Sequence, residues 1–408
     1  MLLSISWRNV WRSKLRSLVM STAIALGVCA GIFSSAFYNG MAVQRIEKGI
    51  KTEIGHIQIH RHEFRESIEI GNIIPEAELL AGRIRSIPGV TGTSNRIVIM
   101  GMISSAETGS GIKVLGIEPT AERSTTDLHT KLIEGTYFEE EYRPPIKPIL
   151  IGRKLAEKLK VKTGSKVVVT LQDIDNNITA GAFRVAGVFF TVNNSYDEAH
   201  AFVRYADLAS LTEFPPGAGH EIGIYAKNND EVAHIREQIQ ELTPEMEVMT
   251  WNELSPELGY LNDFMDLYMY IFIVIILFAL LFGIVNTMLM AILERIKEIG
   301  MLMAIGMNKL RVFSMIMLEA VFLSLSGGLV GVIAGALLSK YFEKHPIDLS
   351  VWGDMYADMG YDPFVYTSLK WPLLINVTAL ILITGILAAV YPAWRALQND
   401  PANALRME

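Results

Sequence analysis

Cysteine and charge are both scarce in this chain of 408 residues. Cys29 is the single cysteine, so an intrachain disulfide is impossible and a disulfide-stabilised secreted scaffold is excluded. Charged residues make up 19% of the chain, below the about 25% that is usual for soluble domains. The net charge of −7 argues against a nucleic-acid-binding protein, because neutralising phosphates requires a basic face.

The sequence also lacks the motifs of common nucleotide and hydrolase sites. It has no G-x-x-x-x-G-K-[ST] phosphate loop, so ATP hydrolysis by that route is excluded, and it has neither G-x-S-x-G nor H-E-x-x-H. His56, His60 and His62 are candidate metal ligands, but only His56 and His60 share a strand face. We interpret them as part of a polar strand face and predict no metal site and no catalytic residue.

Hydrophobic residues, in contrast, make up 50% of the chain, and the mean hydropathy is +0.30. They are concentrated in four blocks that reach the roughly 20 apolar residues needed to cross a bilayer. The predicted membrane helices are 18–38, 267–293, 311–339 and 371–392. The first block exceeds the 7–15 residues typical of a signal-peptide core, so we interpret it as a retained anchor.

Basic residues flank these blocks on one side of the membrane: Arg8, Arg12, Lys14, Arg16, Arg295, Lys297, Lys309, Arg311, Arg395 and Arg406. The positive-inside rule therefore places three segments in the cytoplasm: an amphipathic N-terminal segment 1–17, a connection 294–310 and a tail 393–408. Residues 39–266 and the loop 340–370 are then predicted to be external.

The external segment 39–266 has mixed periodicity. Alternating patterns predict strands at 55–60, 95–102, 111–117, 167–171, 183–190 and 201–205, and helical patterns predict helices at 76–86, 153–159 and 230–242. Strands and helices intersperse, so we predict a membrane α protein with a large extracytoplasmic α+β domain, built as two intermingled subdomains.

Three features of the membrane-associated part invite a functional interpretation. Residues 294–306 (ERIKEIGMLMAIG) predict a short amphipathic helix on the membrane surface, either a plain connection or a docking helix for a cytoplasmic protein. Glu319 lies inside the third block, where a carboxylate pairs with a cation, such as Arg311 or an N-terminal arginine, or takes part in coupling. Gly327, Gly331 and Gly335 lie on one helix face and allow close packing, within the chain or across a dimer.

Four segments together resemble the four-span permease family of ABC transporters that includes the FtsX, MacB and LolC/LolE proteins. They are WRNVWRSKLRS at 7–17, RIKEIGMLMAIG at 295–306, the glycine run 327–335 and YPAWRALQNDPANALR at 391–406. The external domain is most similar to the lipoprotein-release branch, through GHIQIH at 55–60, LGIEP at 115–119 and ILIGRKLAEKLKV at 149–161.

The resemblance implies a permease subunit that extracts lipoproteins from the outer leaflet of a bacterial inner membrane by mechanotransmission. Two permease chains, identical or paralogous, would each dock a separate ATPase, which carries the ATP and Mg²⁺; this chain would bind no cofactor itself. A periplasmic chaperone or adaptor is a further implied partner, although the hairpin at 171–183 lacks the proline that one branch member carries there.

The resemblance also assigns roles to two sets of residues. The ATPase-coupling set is Glu294, Arg295, Lys297, Glu298, Ile299, Gly300, Leu302 and Gly306. The expected wall of the substrate cavity is Phe33, Phe37, Phe264, Met265 and Tyr268. Alternatives within the family are MacB-like export of a peptide, toxin or antibiotic with an adaptor, and FtsX-like regulation of a cell-wall hydrolase. A sensor without an ATPase is disfavoured, because we find no cytoplasmic signalling domain.

Overall fold

The computed structural model describes residues 2–138 and 147–398. The helices are α1 (Leu2–Val10), α2 (Lys14–Lys48), α3 (Ala77–Arg85), α4 (Pro119–Thr125), α5 (Arg153–Leu159), α6 (Asn194–Ala199), α7 (Tyr205–Thr212), α8 (Val232–Leu242), α9 (Trp251–Leu254), α10 (Pro256–Glu294), α11 (Ile296–Ala304), α12 (Lys309–Phe342), α13 (Gly353–Asp358) and α14 (Trp371–Leu397). The strands are β1 (Ile57–Arg61), β2 (Val90–Ser104), β3 (Gly109–Ile117), β4 (Leu132–Gly135), β5 (Pro148–Gly152), β6 (Lys166–Gln172), β7 (Ile178–Phe189), β8 (His200–Arg204), β9 (Glu221–Ala226), β10 (Met246–Thr250), β11 (Ile347–Asp348) and β12 (Phe364–Val365).

The chain divides into two compact units, which we describe separately. The membrane unit comprises Met1–Val43, Asp263–Ile347 and Phe364–Glu408, and the sheet unit comprises Gln44–Asn262 and Asp348–Pro363. Among the described residues, four helical segments are long and apolar enough to cross a membrane: Lys14–Ile54, Leu267–Glu294, Lys309–Phe342 and Trp371–Leu397. Helices α2 and α10, with 35 and 39 residues, exceed the roughly 20 residues that the hydrocarbon core requires.

Small residues set the packing of the membrane unit. A Cβ added to Gly331 of α12 would lie 2.6 Å from the carbonyl oxygen of Ala25 in α2, and one at Gly327 would lie 2.5 Å from that of Ser21. Gly335 approaches Cys29 and Ile32 of the same helix. The predicted glycine stripe therefore faces α2 of the same chain, which brings the two backbones close together.

The first part of the sheet unit has a β-α-β-β-α-β arrangement. Strands β10, β1, β9 and β2 lie in this order and pair antiparallel. Helices α3 and α8 are amphipathic and contribute Ile84, Ile235 and Ile239 to an apolar core with the isoleucines of β1 and β9. This is the split βαβ topology of ferredoxin-like folds, in which the chain between β2 and β9 is an insertion.

That insertion forms the second part of the sheet unit. The pairings β2–β3, β3–β8, β8–β5, β5–β7, β7–β6 and β6–β2 return to the starting strand, so six strands close into a ring. Its interior holds a separate apolar cluster that includes Ile99, Val114, Val169 and Phe183. Strand β2 belongs to both parts, because its first half pairs with β9 and its second half with β3.

Arg96 lies at the point where β2 changes partners, opposite Glu221 of β9 and Ile117 of β3. Its guanidinium is only 2% exposed and binds Glu122 of α4 at 2.7 Å and Glu221 at 2.5 Å. Burial alone would raise the pKa of Glu221, but the positive charge of Arg96 and a hydrogen bond with His60 outweigh burial and lower it to about 2. The buried arginine is therefore neutralised by two carboxylates, and it ties α4 and β9 to β2 where the two parts of the sheet unit meet.

The predicted fold class is confirmed, and the predicted strands and helices of the external segment all occur. The two parts of the sheet unit have separate apolar cores and share one continuous sheet, and the division into two intermingled subdomains stays a prediction. The membrane helices extend beyond their predicted ends; α2 begins at Lys14 and α14 reaches Leu397. Of the predicted tail 393–408, residues 399–408 lie outside the described part of the chain.

Candidate functional site

The predicted surface helix 294–306 is present as α11, Ile296–Ala304, between two membrane helices. Arg295 leaves the helical conformation and separates α10 from α11, with φ −110° and ψ 15°. At the other end Gly306 has φ +102°, a conformation that favours glycine and stops the helix. Asn308 then caps α12 by accepting a hydrogen bond from the Leu310 N–H at 3.1 Å. These end signals fix α11 as a separate short helix.

The two faces of α11 differ. Ile299 and Gly300 are buried, and Ile299 belongs to the apolar core of the membrane unit. Lys297, Leu302 and Gly306 are exposed, as are Met301 and Ile305. Within the predicted coupling set, Ile299 and Gly300 can therefore position the helix but cannot offer a surface to a partner. The surface available for docking is formed by Lys297, Met301, Leu302 and Ile305.

Two arginines at the start of the chain bind the two glutamates of this region. Arg12 donates hydrogen bonds to both carboxylate oxygens of Glu298, at 2.7 and 2.6 Å. Arg16 does the same with Glu294, at 2.7 and 2.5 Å. Bidentate pairs of this kind fix orientation as well as distance. The hydrogen bonds from Arg12 lower the pKa of Glu298, so that this carboxylate stays charged at neutral pH. We call these two contacts the arginine clamps.

Glu319 of α12 is buried and joins the same cluster. It accepts a hydrogen bond from Asn9 of α1 at 2.6 Å and from Arg295 at 3.3 Å. Arg295 also contacts Glu298 at 3.3 Å. The prediction of an ion pair named Arg311 or an N-terminal arginine as the partner, and this was wrong: the cation is Arg295, at the hinge between α10 and α11.

The clamps, Arg295 and Glu319 surround a cavity of about 230 Å³ that also includes Ser13, Ser17 and Thr287. The contacts join the beginning of α2, the end of α10, α11 and α12. Of the two clamps, Arg12–Glu298 joins α11 to the turn before α2, and Arg16–Glu294 joins the first turn of α2 to the end of α10. Sequence reasoning used Arg12 and Arg16 as markers of orientation and considered an N-terminal arginine as a partner of Glu319, but it did not pair them with Glu298 and Glu294, and it missed Asn9. The spacing was a usable signal, because two arginines four residues apart match two glutamates four residues apart.

A second site lies between α2 and α10 within the membrane unit. It is a groove of about 430 Å³, and nearly all of its exposed surface is apolar. Its walls are Ser35, Tyr38, Met265, Tyr268, Met269, Ile271, Phe272 and Ile275. Below it along α2, Gly27 and Gly31 let the helix approach Leu280 and Ile276, to 3.2 and 3.3 Å from a hypothetical Cβ. The two helices are therefore in close contact where these glycines lie and leave a gap one turn later.

Only two of the five residues predicted for the wall of the substrate cavity lie in this groove, and the cavity itself stays a prediction. Met265 and Tyr268 line the groove, but Phe33 and Phe37 do not. The ring of Phe33 packs against Phe342 of α12, with centroids 5.6 Å apart, and the ring of Phe37 packs against Tyr38. Phe264 is exposed on α10 and is outside the lining. Phe272 and Ile275, which also line the groove, lie four and seven positions after Tyr268, so helical spacing from Tyr268 would have placed them on the same face.

The histidines considered as metal ligands serve other roles. The ring of His56 accepts a hydrogen bond from the Ala226 N–H at 3.2 Å, and burial lowers its pKa to about 4. His60 faces Glu221 at 3.5 Å. Across residues 2–138 and 147–398, no group of three His, Cys, Asp or Glu side chains is arranged to hold a metal ion.

The fold and the two sites define a four-helix membrane permease with a large extracytoplasmic domain. A family model of the MacB-like periplasmic core domain matches residues 17–242, and one of the FtsX-like permease C-terminal domain matches residues 270–401. The chain therefore belongs to the FtsX/MacB family of ABC transporter permeases, close to the LolC and LolE proteins.

Several curated proteins are similar over much of the chain. The lipoprotein-releasing system transmembrane protein LolC of Xylella fastidiosa is 25% identical over 305 residues, 72% of each chain. LolC of Neisseria meningitidis is 24% identical over 393 residues, which cover 87% of this chain and 84% of that protein. The macrolide export ATP-binding/permease protein MacB of Syntrophobacter fumaroxidans is 31% identical over 132 residues, 31% of this chain and 15% of that protein.

Proposed function

We propose that this chain is the permease subunit of an ABC transporter that extracts lipoproteins from the outer leaflet of the bacterial inner membrane. The observation that carries this proposal is the apolar groove between α2 and α10, which has room for acyl chains and offers few polar groups. A lipid anchor suits such a surface, because burial of hydrocarbon chains requires no hydrogen-bond partners. The LolC relatives, named for lipoprotein release, support the same assignment.

ATP hydrolysis would take place on a separate ATPase that binds the exposed face of α11. We infer that its closure displaces α11 and that the arginine clamps transmit this displacement to α2 and α10. The groove is formed by these same two helices, so a change in their separation would narrow it and expel the bound acyl chains. ATP and Mg²⁺ would be held by the ATPase, and this chain would contribute no nucleotide site.

The complete transporter would contain two permease chains, identical or paralogous, and two copies of the ATPase. Both termini of this chain would be cytoplasmic and the sheet unit periplasmic, as the distribution of Lys and Arg indicates. A periplasmic chaperone or adaptor would receive the cargo after release.

Export of a peptide, toxin or antibiotic with an adaptor protein is the second candidate function. The MacB relative favours it, since its identity of 31% is above that of the LolC relatives, although over a shorter stretch. In this case the groove would bind membrane lipid, and the cargo would contact the sheet unit instead.

Site-specific photocrosslinking in the purified transporter distinguishes these functions. A benzophenone amino acid replaces Phe272, which lines the groove, and in the matched control it replaces Phe282, an exposed phenylalanine of the same helix outside the lining. The probes are a triacylated lipoprotein and the same protein without its lipid. We expect position 272 alone to crosslink the lipidated probe, and ATP to abolish the crosslink. Equal crosslinking of the unlipidated probe, or none at position 272, would contradict lipoprotein extraction.

A further inference from the structure

Residues 350–359 form a short helical segment with an unusually apolar exposed face. A turn at Ser350–Trp352 leads directly into α13. Val351 is 86% exposed, Met359 64%, Trp352 55% and Met355 52%. Trp352, Met355 and Met359 are spaced by three and four residues, so they share one side of the helix. An exposed cluster of large apolar side chains of this kind marks an interaction surface.

The opposite side of this segment is fixed to the rest of the sheet unit. Ala357 is buried, and Asp358 accepts a hydrogen bond from Asn194 at 2.6 Å. Immediately after the segment, Gly360 adjoins the guanidinium of Arg45, and Asp362 forms an ion pair with Lys48. Because these polar contacts hold one side in place, the apolar side cannot turn inward and stays directed away from the sheet unit.

The chain connections limit the distance between this segment and the ends of two membrane helices. It begins eight positions after Phe342, the last residue of α12, and its end is followed twelve positions later by Trp371, the first residue of α14. At about 3.5 Å per residue, the first connection reaches about 28 Å at most. Tyr341 and Trp371 are exposed at these helix ends, in the positions that aromatic side chains take at a membrane surface.

We propose that Val351, Trp352, Met355 and Met359 insert into the outer surface of the lipid bilayer, so that α13 anchors the sheet unit to the membrane. The composition favours lipid as the occupant, since tryptophan with flexible aliphatic side chains suits the boundary between headgroups and acyl chains. Asp354 is exposed next to the apolar side chains, where it would remain at headgroup level. The inference does not depend on the cargo of the transporter.

A single environment-sensitive label tests this proposal in the full-length protein. Cys29 is the only cysteine, so Cys29→Ser gives a background in which Met355→Cys or Met359→Cys carries one NBD group. The matched control is Met102→Cys on β2, a methionine of similar exposure in the same unit. The proteins are reconstituted in phosphatidylethanolamine and phosphatidylglycerol vesicles, with and without doxyl-labelled lipid.

We expect the NBD emission at positions 355 and 359 to shift to shorter wavelength and to be quenched by doxyl lipid, at a depth of about 5–10 Å below the headgroups. The label at position 102 should show neither change. Quenching at 355 and 359 by aqueous iodide without quenching by doxyl lipid would overturn the proposal, because the face would lie in water. Protection from both quenchers would also overturn the proposal, because it would show that a protein surface, and not lipid, covers this apolar side.

Discussion

The two units of this chain use charge in opposite ways. In the sheet unit, Arg96 and its partners Glu122 and Glu221 are buried inside the fold. In the membrane unit, the arginine clamps lie at an exposed edge, where the Arg12 side chain is 60% accessible. A buried ion pair is costly to break, because it leaves an unpaired charge, whereas an exposed pair contributes little to stability. The first arrangement fixes a structure, and the second allows contacts to be broken and remade during movement.

In the membrane unit, close packing at small residues stabilises the contact between α12 and α2. The core of this unit is mostly apolar, and α12 approaches α2 through glycines, with a hydrogen bond between the hydroxyls of Ser21 and Ser326 at 2.9 Å beside them. In a bilayer, close backbone packing provides stabilisation that the hydrophobic effect between helices cannot supply.

The largest effect on stability is expected from Arg96→Leu. The substitution leaves two buried carboxylates without their cation, so the free energy of opening of the sheet unit should fall by about 3–5 kcal/mol. Amide hydrogen exchange of β2 and β9 in the full-length protein measures this locally. Arg83→Leu, at an exposed position of α3, is the control and should change it by less than about 0.5 kcal/mol. A small effect of Arg96→Leu would show that the buried cluster does not hold the two parts of the sheet unit together.

A smaller loss is expected from Gly331→Ala. The new Cβ would collide with the backbone carbonyl of Ala25, and backbone cannot move aside, so we expect a loss of about 1–3 kcal/mol. Gly328→Ala is a matched control in the same helix, because its Cβ meets only side-chain atoms of Ile381, the nearest being the Cγ2 methyl at 2.8 Å. In mild detergent, the midpoint temperature of thermal unfolding should be lower for Gly331→Ala than for Gly328→Ala. The reverse order would contradict the packing of α12 on α2.

The sheet unit should also lose stability in mild acid. Burial lowers the pKa of His220 to about 4, although the hydrogen bond with the Ile70 carbonyl and the negative charge of Glu221 act in the opposite direction. The neutral ring also accepts a hydrogen bond from the Val98 N–H. The unfolded chain takes up this proton near pH 6.5, so the contribution is complete above pH 6.5 and is lost as the pH falls towards 4. His220→Gln should reduce the slope of unfolding free energy against pH by up to about 1.4 kcal/mol per pH unit.

The control for this pH effect is His62→Gln, at an exposed position beyond the end of β1. It should leave the slope of unfolding free energy between pH 4 and 6.5 unchanged. An equal effect of both substitutions would show that the acid sensitivity does not arise from the buried ring of His220.

Local sequence patterns predicted the helices and strands of this protein well. They did not predict which face of a helix meets its neighbours or which residues far apart in sequence are in contact. Helix α5 has the predicted bounds, because its periodicity and the following turn are local signals. The closure of β6 onto β2 joins residues more than sixty positions apart, and no local pattern encodes it. Phe33 was misplaced because α2 is apolar on most sides, so the sequence does not show which face meets which neighbour.

The region around α11 shows the same difference between local and distant signals. The ends of α11 were predictable from its charges and Gly306, whereas the partner of Glu319 was not. Arg295 reaches Glu319 only because the chain bends between α10 and α11, and this bend brings residues 24 positions apart together. Charge alone suggested Arg311, which is nearer in sequence.

The central claim is that the arginine clamps transmit the movement of the ATPase. Arg16 and Glu294 form the better pair for a test, since Glu298 contacts Arg295 as well as Arg12. The measurement is cargo release per ATP hydrolysed in proteoliposomes, for Arg16→Glu, Glu294→Arg, the double exchange and the control Lys14→Glu. We predict that each single reversal uncouples hydrolysis from release and that the double exchange restores coupling, with Lys14→Glu close to wild type. Full coupling in both single variants, or no recovery in the double exchange, would contradict the account.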